Sequence, residues 1–86
     1  MTKENPNQVY FANRANCKLE MKNFNGCIED CDEAIKIDPK YIKSYLRKAR
    51  VLHILRRFEE ALDTVKIGLE LEPENADFKE IENWLN

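Results

Sequence analysis

The sequence predicts an all-α fold, a right-handed α-solenoid of two helix pairs followed by a C-terminal capping helix. Two observations carry that expectation. Thirty-four residues separate Pro39 from Pro73, and the same offset maps Ala15 onto Ala49, Phe24 onto Phe58, Ile28 onto Leu62, Ile35 onto Leu69 and Ile37 onto Leu71. Within each unit the apolar residues recur at intervals of three and four, the period of a helix with one buried face. A repeat of this length cannot bury its apolar face alone, so neighbours stack into a solenoid whose inner surface usually serves binding rather than catalysis.

The elements follow in order. Residues 1–7 form a linker or disordered N-terminus, 8–40 the first unit, 41–74 the second and 75–86 the capping helix. Asn7 is placed to cap a first helix running to about Met21, with Val9, Phe11, Ala12, Ala15 and Leu19 inward. Asn23 caps a second helix, to about Ile37, on the stripe Phe24, Cys27, Ile28, Cys31, Ala34 and Ile35. Asp38-Pro39 stops it, because proline supplies no N–H and disfavours helical geometry in the residue before it. The third helix, about Tyr41 to Leu55, carries Tyr45, Leu46, Ala49, Leu52 and Leu55. The fourth, about Phe58 to Leu71, carries Phe58, Ala61, Leu62, Val65 and Leu69 and ends at Glu72-Pro73. Asn75 caps a short fifth helix, Ala76 to Leu85, whose Phe78, Ile81, Trp84 and Leu85 can pack on the last unit while its acids face water. Ala15, Cys27, Ala49 and Ala61 are small where two helices cross closely.

Composition narrows the function classes. At 86 residues, 43% hydrophobic and 35% charged, the chain has room for one domain of amphipathic helices. Its apolar runs are short and Met1 to Gln8 is polar, so neither a signal peptide nor a membrane span is expected, and the expected localisation is cytoplasmic or nuclear. Three cysteines, an odd number, fit a reducing compartment. The net charge of −2 conceals a segregation: seven basic residues and no acid between Lys40 and Arg57, then six acids against Lys79 alone from Glu70 to Glu82. A basic block in an acidic protein points to a local anion site, for which an acidic peptide tail is the natural occupant, rather than to nucleic acid.

Catalytic and metal chemistry find no support. Cys27 and Cys31 stand four apart without further ligands and lie on the apolar stripe, so they read as buried structural thiols, and Cys17 reads as another packing residue. His53 is the single histidine and reads as a partly buried or exposed helical residue. Glu29, Asp30, Asp32 and Glu33 read as a solvated outer face, and Arg56-Arg57 as cations favouring a helix C-terminus. Lys18 stands where the second unit has Leu52, which suggests that its stem lies over the surface while Leu19 packs. No glycine-rich phosphate loop or catalytic triad occurs, and no cofactor or metal is expected.

A helical pair with small residues at the crossing, an aromatic opening the second helix and a proline closing a 34-residue unit resemble the tetratricopeptide repeat. A narrower resemblance lies in Asn13-Arg14-Ala15 and in Lys43-Ser44-Tyr45-Leu46-Arg47-Lys48-Ala49. These stretches are similar to the second and third repeats of carboxylate-clamp domains in chaperone adaptors, in immunophilins and in a repeat-linked protein phosphatase. The resemblance implies a co-chaperone or adaptor module that is not an enzyme. Asn13, Lys43 and Arg47 would then hold the carboxylates of a Glu-Glu-Val-Asp tail of cytosolic heat-shock chaperones.

Helical geometry agrees with the transfer, since Lys43 and Arg47 are four apart on one face and Asn13 stands thirty-four residues before Arg47. Two cations and an amide suit a carboxylate, because charge-assisted hydrogen bonds are the strong ones. Ala12, Leu46 and Arg50 are further candidates along the groove. The family also draws a lysine and an asparagine from an earlier repeat, which Met1 to Asn7 do not supply. Three explanations stay open: a fragment of a longer domain, an incomplete clamp, or a second copy of the chain filling the edge as a homodimer. The alternative functions are a self-associating scaffold segment with another partner and a targeting fragment of a repeat-linked enzyme.

Overall fold

The computed structural model describes residues 7–85. Apart from Asn7, the expected N-terminal linker lies outside the described residues. Five helices follow one another: α1 (Gln8–Glu20), α2 (Phe24–Ile37), α3 (Ile42–Ile54), α4 (Phe58–Leu71) and α5 (Ala76–Leu85). α1 packs on α2, α3 on α4, and each pair on the next element, with α5 closing against α4 and α3.

Local chemistry sets the ends. The side-chain oxygens of Asn7, Asn23 and Asn75 accept the N–H groups of Tyr10, Gly26 and Phe78 at 2.9, 3.1 and 3.1 Å, so each satisfies a backbone donor of the first helical turn. α1 and α3 end alike. Lys22 and Arg56, thirty-four residues apart, both take φ of 63°, and the next N–H reaches back to Lys18 O and Leu52 O at 2.8 and 2.9 Å. Together with Lys22 N–H to Leu19 O and Arg56 N–H to His53 O, these bonds complete two Schellman motifs. Asp38 and Glu72, each before a proline, leave the helical region at the ends of α2 and α4.

The core falls into two clusters, one per junction. Ala15, Cys27, Cys31 and Val51 are fully buried where α1, α2 and α3 meet, with Leu19, Phe24, Ile28 and Leu55 around them. Tyr45, Ala49, Val65, Phe78 and Ile81 form the second, flanked by Ile35, Ile42, Leu46, Leu69, Leu71 and Leu85. Gly68 meets α5 there: a Cβ on it would overlap the Phe78 ring, so the residue is glycine where an aromatic lies flat on the α4 backbone.

Several inward assignments change in three dimensions. Val9 is 44% exposed on the open edge of α1, and Phe58 is 46% exposed. Its repeat partner Phe24 sits in the cluster that Leu55 of α3 helps to close, whereas α5 ends at Leu85 and has no such residue to lay over Phe58. Cys17, expected to pack, is exposed, while Cys27 and Cys31 are buried as expected. Within that pair the hydrogen bond between the thiols holds the Cys27 pKa down and the Cys31 pKa up. Arg56 and Arg57 lie past the end of α3, and Arg57 pairs with Glu60 at the start of α4.

The acidic run on α2 is not uniformly solvated. Asp30 is only 2% exposed, and its Oδ2 accepts Arg14 Nε and Lys18 Nζ of α1, each at 3.1 Å. Lys18 is therefore an ion-pair partner rather than a stem lying over the surface. The guanidinium of Arg14 is also hydrogen-bonded to the Tyr10 hydroxyl at 3.1 Å, which with Asp30 raises its pKa. Asp32, two residues on, accepts Lys48 Nζ of α3 at 2.6 Å and ties the second pair to the first.

Candidate functional site

The first helix of each unit and the capping helix, α1, α3 and α5, share the inner surface. On α3 the spacing of Lys43, Arg47, Arg50 and Ile54 keeps four side chains on one stripe of the helix. Between this stripe and α1 lies a groove of about 270 Å³, lined by Asn16 and Leu19 of α1 and by Lys43, Leu46, Arg47 and Arg50 of α3.

Its electrostatics are one-sided. Among the described residues, Lys43, Arg47 and Arg50 form no ion pair, although acids elsewhere on the surface find partners. Arg47 is fixed differently, by donating from Nη1 to the backbone carbonyl of Ala12 on α1 at 3.1 Å. That bond crosses the junction between the two units and leaves the remaining guanidinium donors available to a ligand. A neutral carbonyl anchors the side chain without cancelling its charge, so three cations face a shallow, partly desolvated groove. Anions are the complementary ligand.

The sequence-derived candidates separate into two sets. Lys43, Arg47, Leu46 and Arg50 come together on the groove wall. Asn13 is exposed on α1, one turn from Asn16, and does not line the groove itself. The methyl of Ala12 is packed away at 3% exposure, and what that residue offers is its carbonyl. Leu46 is shared between the groove and the second core cluster. Asn16 and Leu19 were not singled out as groove residues. The thirty-four-residue offset carries a signal for Asn16, since it maps that residue onto Arg50.

Beyond Arg50 the inner surface turns apolar. Arg50, His53 and Ile54 of α3 and Trp84 of α5 line an open shelf of about 610 Å³. The His53 ring lies between Trp84 and Phe58, with centroids at 5.2 and 5.7 Å. Among the described residues, no group of metal-ligating side chains and no helix long and apolar enough to cross a membrane is present.

Two overlapping tetratricopeptide repeat models match the sequence, over residues 9–41 and 31–63. The chain belongs to the tetratricopeptide repeat family. The Hsp70/Hsp90 co-chaperone CNS1 of Saccharomyces cerevisiae is 41% identical over 81 residues, which is 93% of this chain and 20% of that protein. The Arabidopsis OM64 tetratricopeptide domain superposes with a TM-score of 0.88 at 38% identity, over 92% of this chain and 65% of that one. The second such domain of human RPAP3, solved with the HSP70 peptide SGPTIEEVD, gives a TM-score of 0.86 at 28% identity, over 92% of this chain and 66% of that one. The tetratricopeptide chain thus spans about a fifth of the length of the curated relatives it matches and about two thirds of these solved domains.

Proposed function

We propose that this chain is a protein-interaction module, without catalytic activity of its own, that binds the acidic C-terminal tail of a cytoplasmic heat-shock chaperone. The observation that carries the reading is the set of three cations, Lys43, Arg47 and Arg50, gathered on one groove without a carboxylate partner among the described residues. Similarity to a co-chaperone and to a domain solved with a tail ending in Glu-Glu-Val-Asp supplies the occupant's identity. In this reading Lys43 and Arg47 take carboxylates, Asn13 donates its amide from α1, and Arg50 extends the positive wall. Capture of a free C-terminal carboxylate is a recurrent mode of peptide recognition.

Calorimetric titration with a peptide ending in Glu-Glu-Val-Asp, beside its C-terminally amidated twin, tests this. The free acid is expected to bind and the amide to lose most of the affinity. Lys43→Ala should weaken the free acid tenfold or more, the equivalent of about 1.5–3 kcal/mol for one charge-assisted bond. A Lys43→Ala protein that binds as tightly as the parent refutes the proposal. A second reading, self-association, draws on the exposed Val9 and Tyr10 along the edge of α1. It predicts a mass that rises with protein concentration and is indifferent to the peptide's terminus.

A further inference from the structure

We propose that the shelf formed by Arg50, His53, Ile54 and Trp84 is a second subsite, which takes an aliphatic side chain of the bound tail upstream of its acidic end. The inference rests on the tail-binding reading above and deepens it by naming what the tail must carry besides its acids.

Continuity of the surface comes first. Arg50 lines both the basic groove and the shelf, so the two are neighbouring stretches of one trough. Lys43 and Ile54 lie on the same stripe of α3, eleven residues apart, or about 16 Å along the helix axis. An extended peptide covers that span with about five residues. A tail held by its terminal acids near Lys43 and Arg47 and running along α3 therefore brings its fifth residue or so over Ile54.

The character of the shelf supplies the chemistry of the occupant. Ile54 is 51% exposed and Trp84 46% exposed, two large apolar side chains beside a groove whose charge selects acids. The His53 ring, held between Trp84 and Phe58, completes a wall of flat surfaces with no carboxylate lining it. An acid seated there would meet only Arg50, whereas a leucine or isoleucine would cover Ile54 and the indole. Burying such a side chain favours binding in proportion to the apolar area removed from water. Trp84 comes from the capping helix, so α5 would contribute to selectivity as well as closing the core.

Trp84 is the one tryptophan in the chain, which makes the test direct. Three peptides are titrated into the whole chain by calorimetry and by tryptophan fluorescence: the bare Glu-Glu-Val-Asp end, a longer tail with leucine about five residues before the terminus, and its serine twin. The leucine peptide is expected to bind at least fivefold tighter than the serine peptide and to shift the emission to the blue, while the bare end binds without a shift. Ile54→Ser, at a half-exposed position, should bring the leucine peptide down to the serine level. Equal affinities with an unmoved emission overturn the subsite and leave the tail-binding reading standing. Failure of all three peptides to bind overturns both. A blue shift that grows with protein concentration in the absence of peptide means a second copy covers the shelf, and also overturns the proposal.

Discussion

Asp30 shows how far one residue can depart from its repeat. Its equivalent thirty-four residues on is Thr64, whose hydroxyl donates to the carbonyl of Glu60 at 2.9 Å, and the equivalent of Lys18 is Leu52, which is fully buried. The first unit therefore solves with an ion pair what the second solves with an aliphatic side chain and an internal hydrogen bond. Removing one member of a buried pair strands the other. Asp30→Ala should lower stability by about 2–4 kcal/mol, moderated because Lys18 and Arg14 keep some contact with water. The double replacement Lys18→Leu with Asp30→Thr should recover most of that loss in urea unfolding. A double variant no more stable than Asp30→Ala contradicts this account.

Tyr45 gives a prediction in pH at the same scale. Its hydroxyl donates to the Pro39 carbonyl at 2.7 Å, and burial, the leading cause, raises its pKa above the ordinary 10.0. An acid whose pKa is higher folded than unfolded contributes stability that is complete below the unfolded value and is lost as pH rises through the folded one. The urea midpoint of the parent should therefore fall between about pH 9 and about pH 11, and that of Tyr45→Phe should fall less. Parallel curves for the two proteins exclude Tyr45 as the titrating group.

At the level of the helix, α4 and α5 depend on one missing side chain. Alanine is normally the better helix former than glycine, by about 1 kcal/mol. At Gly68 the sign reverses, because a methyl would intrude on the buried Phe78 ring, and overpacking of that kind costs about 1–3 kcal/mol. Gly68→Ala should lower the thermal midpoint and loosen α5 first, seen as faster amide exchange at Phe78 and Ile81. Unchanged exchange there with a raised midpoint would mean that helix propensity wins. Sequence periodicity marks both helices but not this contact, since Gly68 is an ordinary small residue until the Phe78 ring is placed over it. The same holds at the turns: the breakers Asp38-Pro39 and Glu72-Pro73 are legible as sequence, whereas the left-handed Lys22 and Arg56 carry no glycine to announce them.

For the molecule as a whole, the sequence by itself determined the helices, their caps, their order and the stripe Lys43, Arg47 and Arg50, because these follow from short-range spacing and a visible thirty-four-residue offset. Charge segregation along the chain was equally legible, and it became a one-sided groove because stacked repeats turn equivalent positions to the same surface. Only the tertiary structure decided which residues those charges would meet. Arg47 found the Ala12 carbonyl rather than an acid, and Asp30 left the solvated face of its helix for two cations on α1. Asn16 lines the groove where Asn13 stands beside it, and Trp84 and Ile54 meet across two helices to form a shelf. The physical reason is common to all four: a helix's period fixes the direction of a side chain about its own axis, but its partner is set by how neighbouring helices cross and by what each buried polar group needs for compensation.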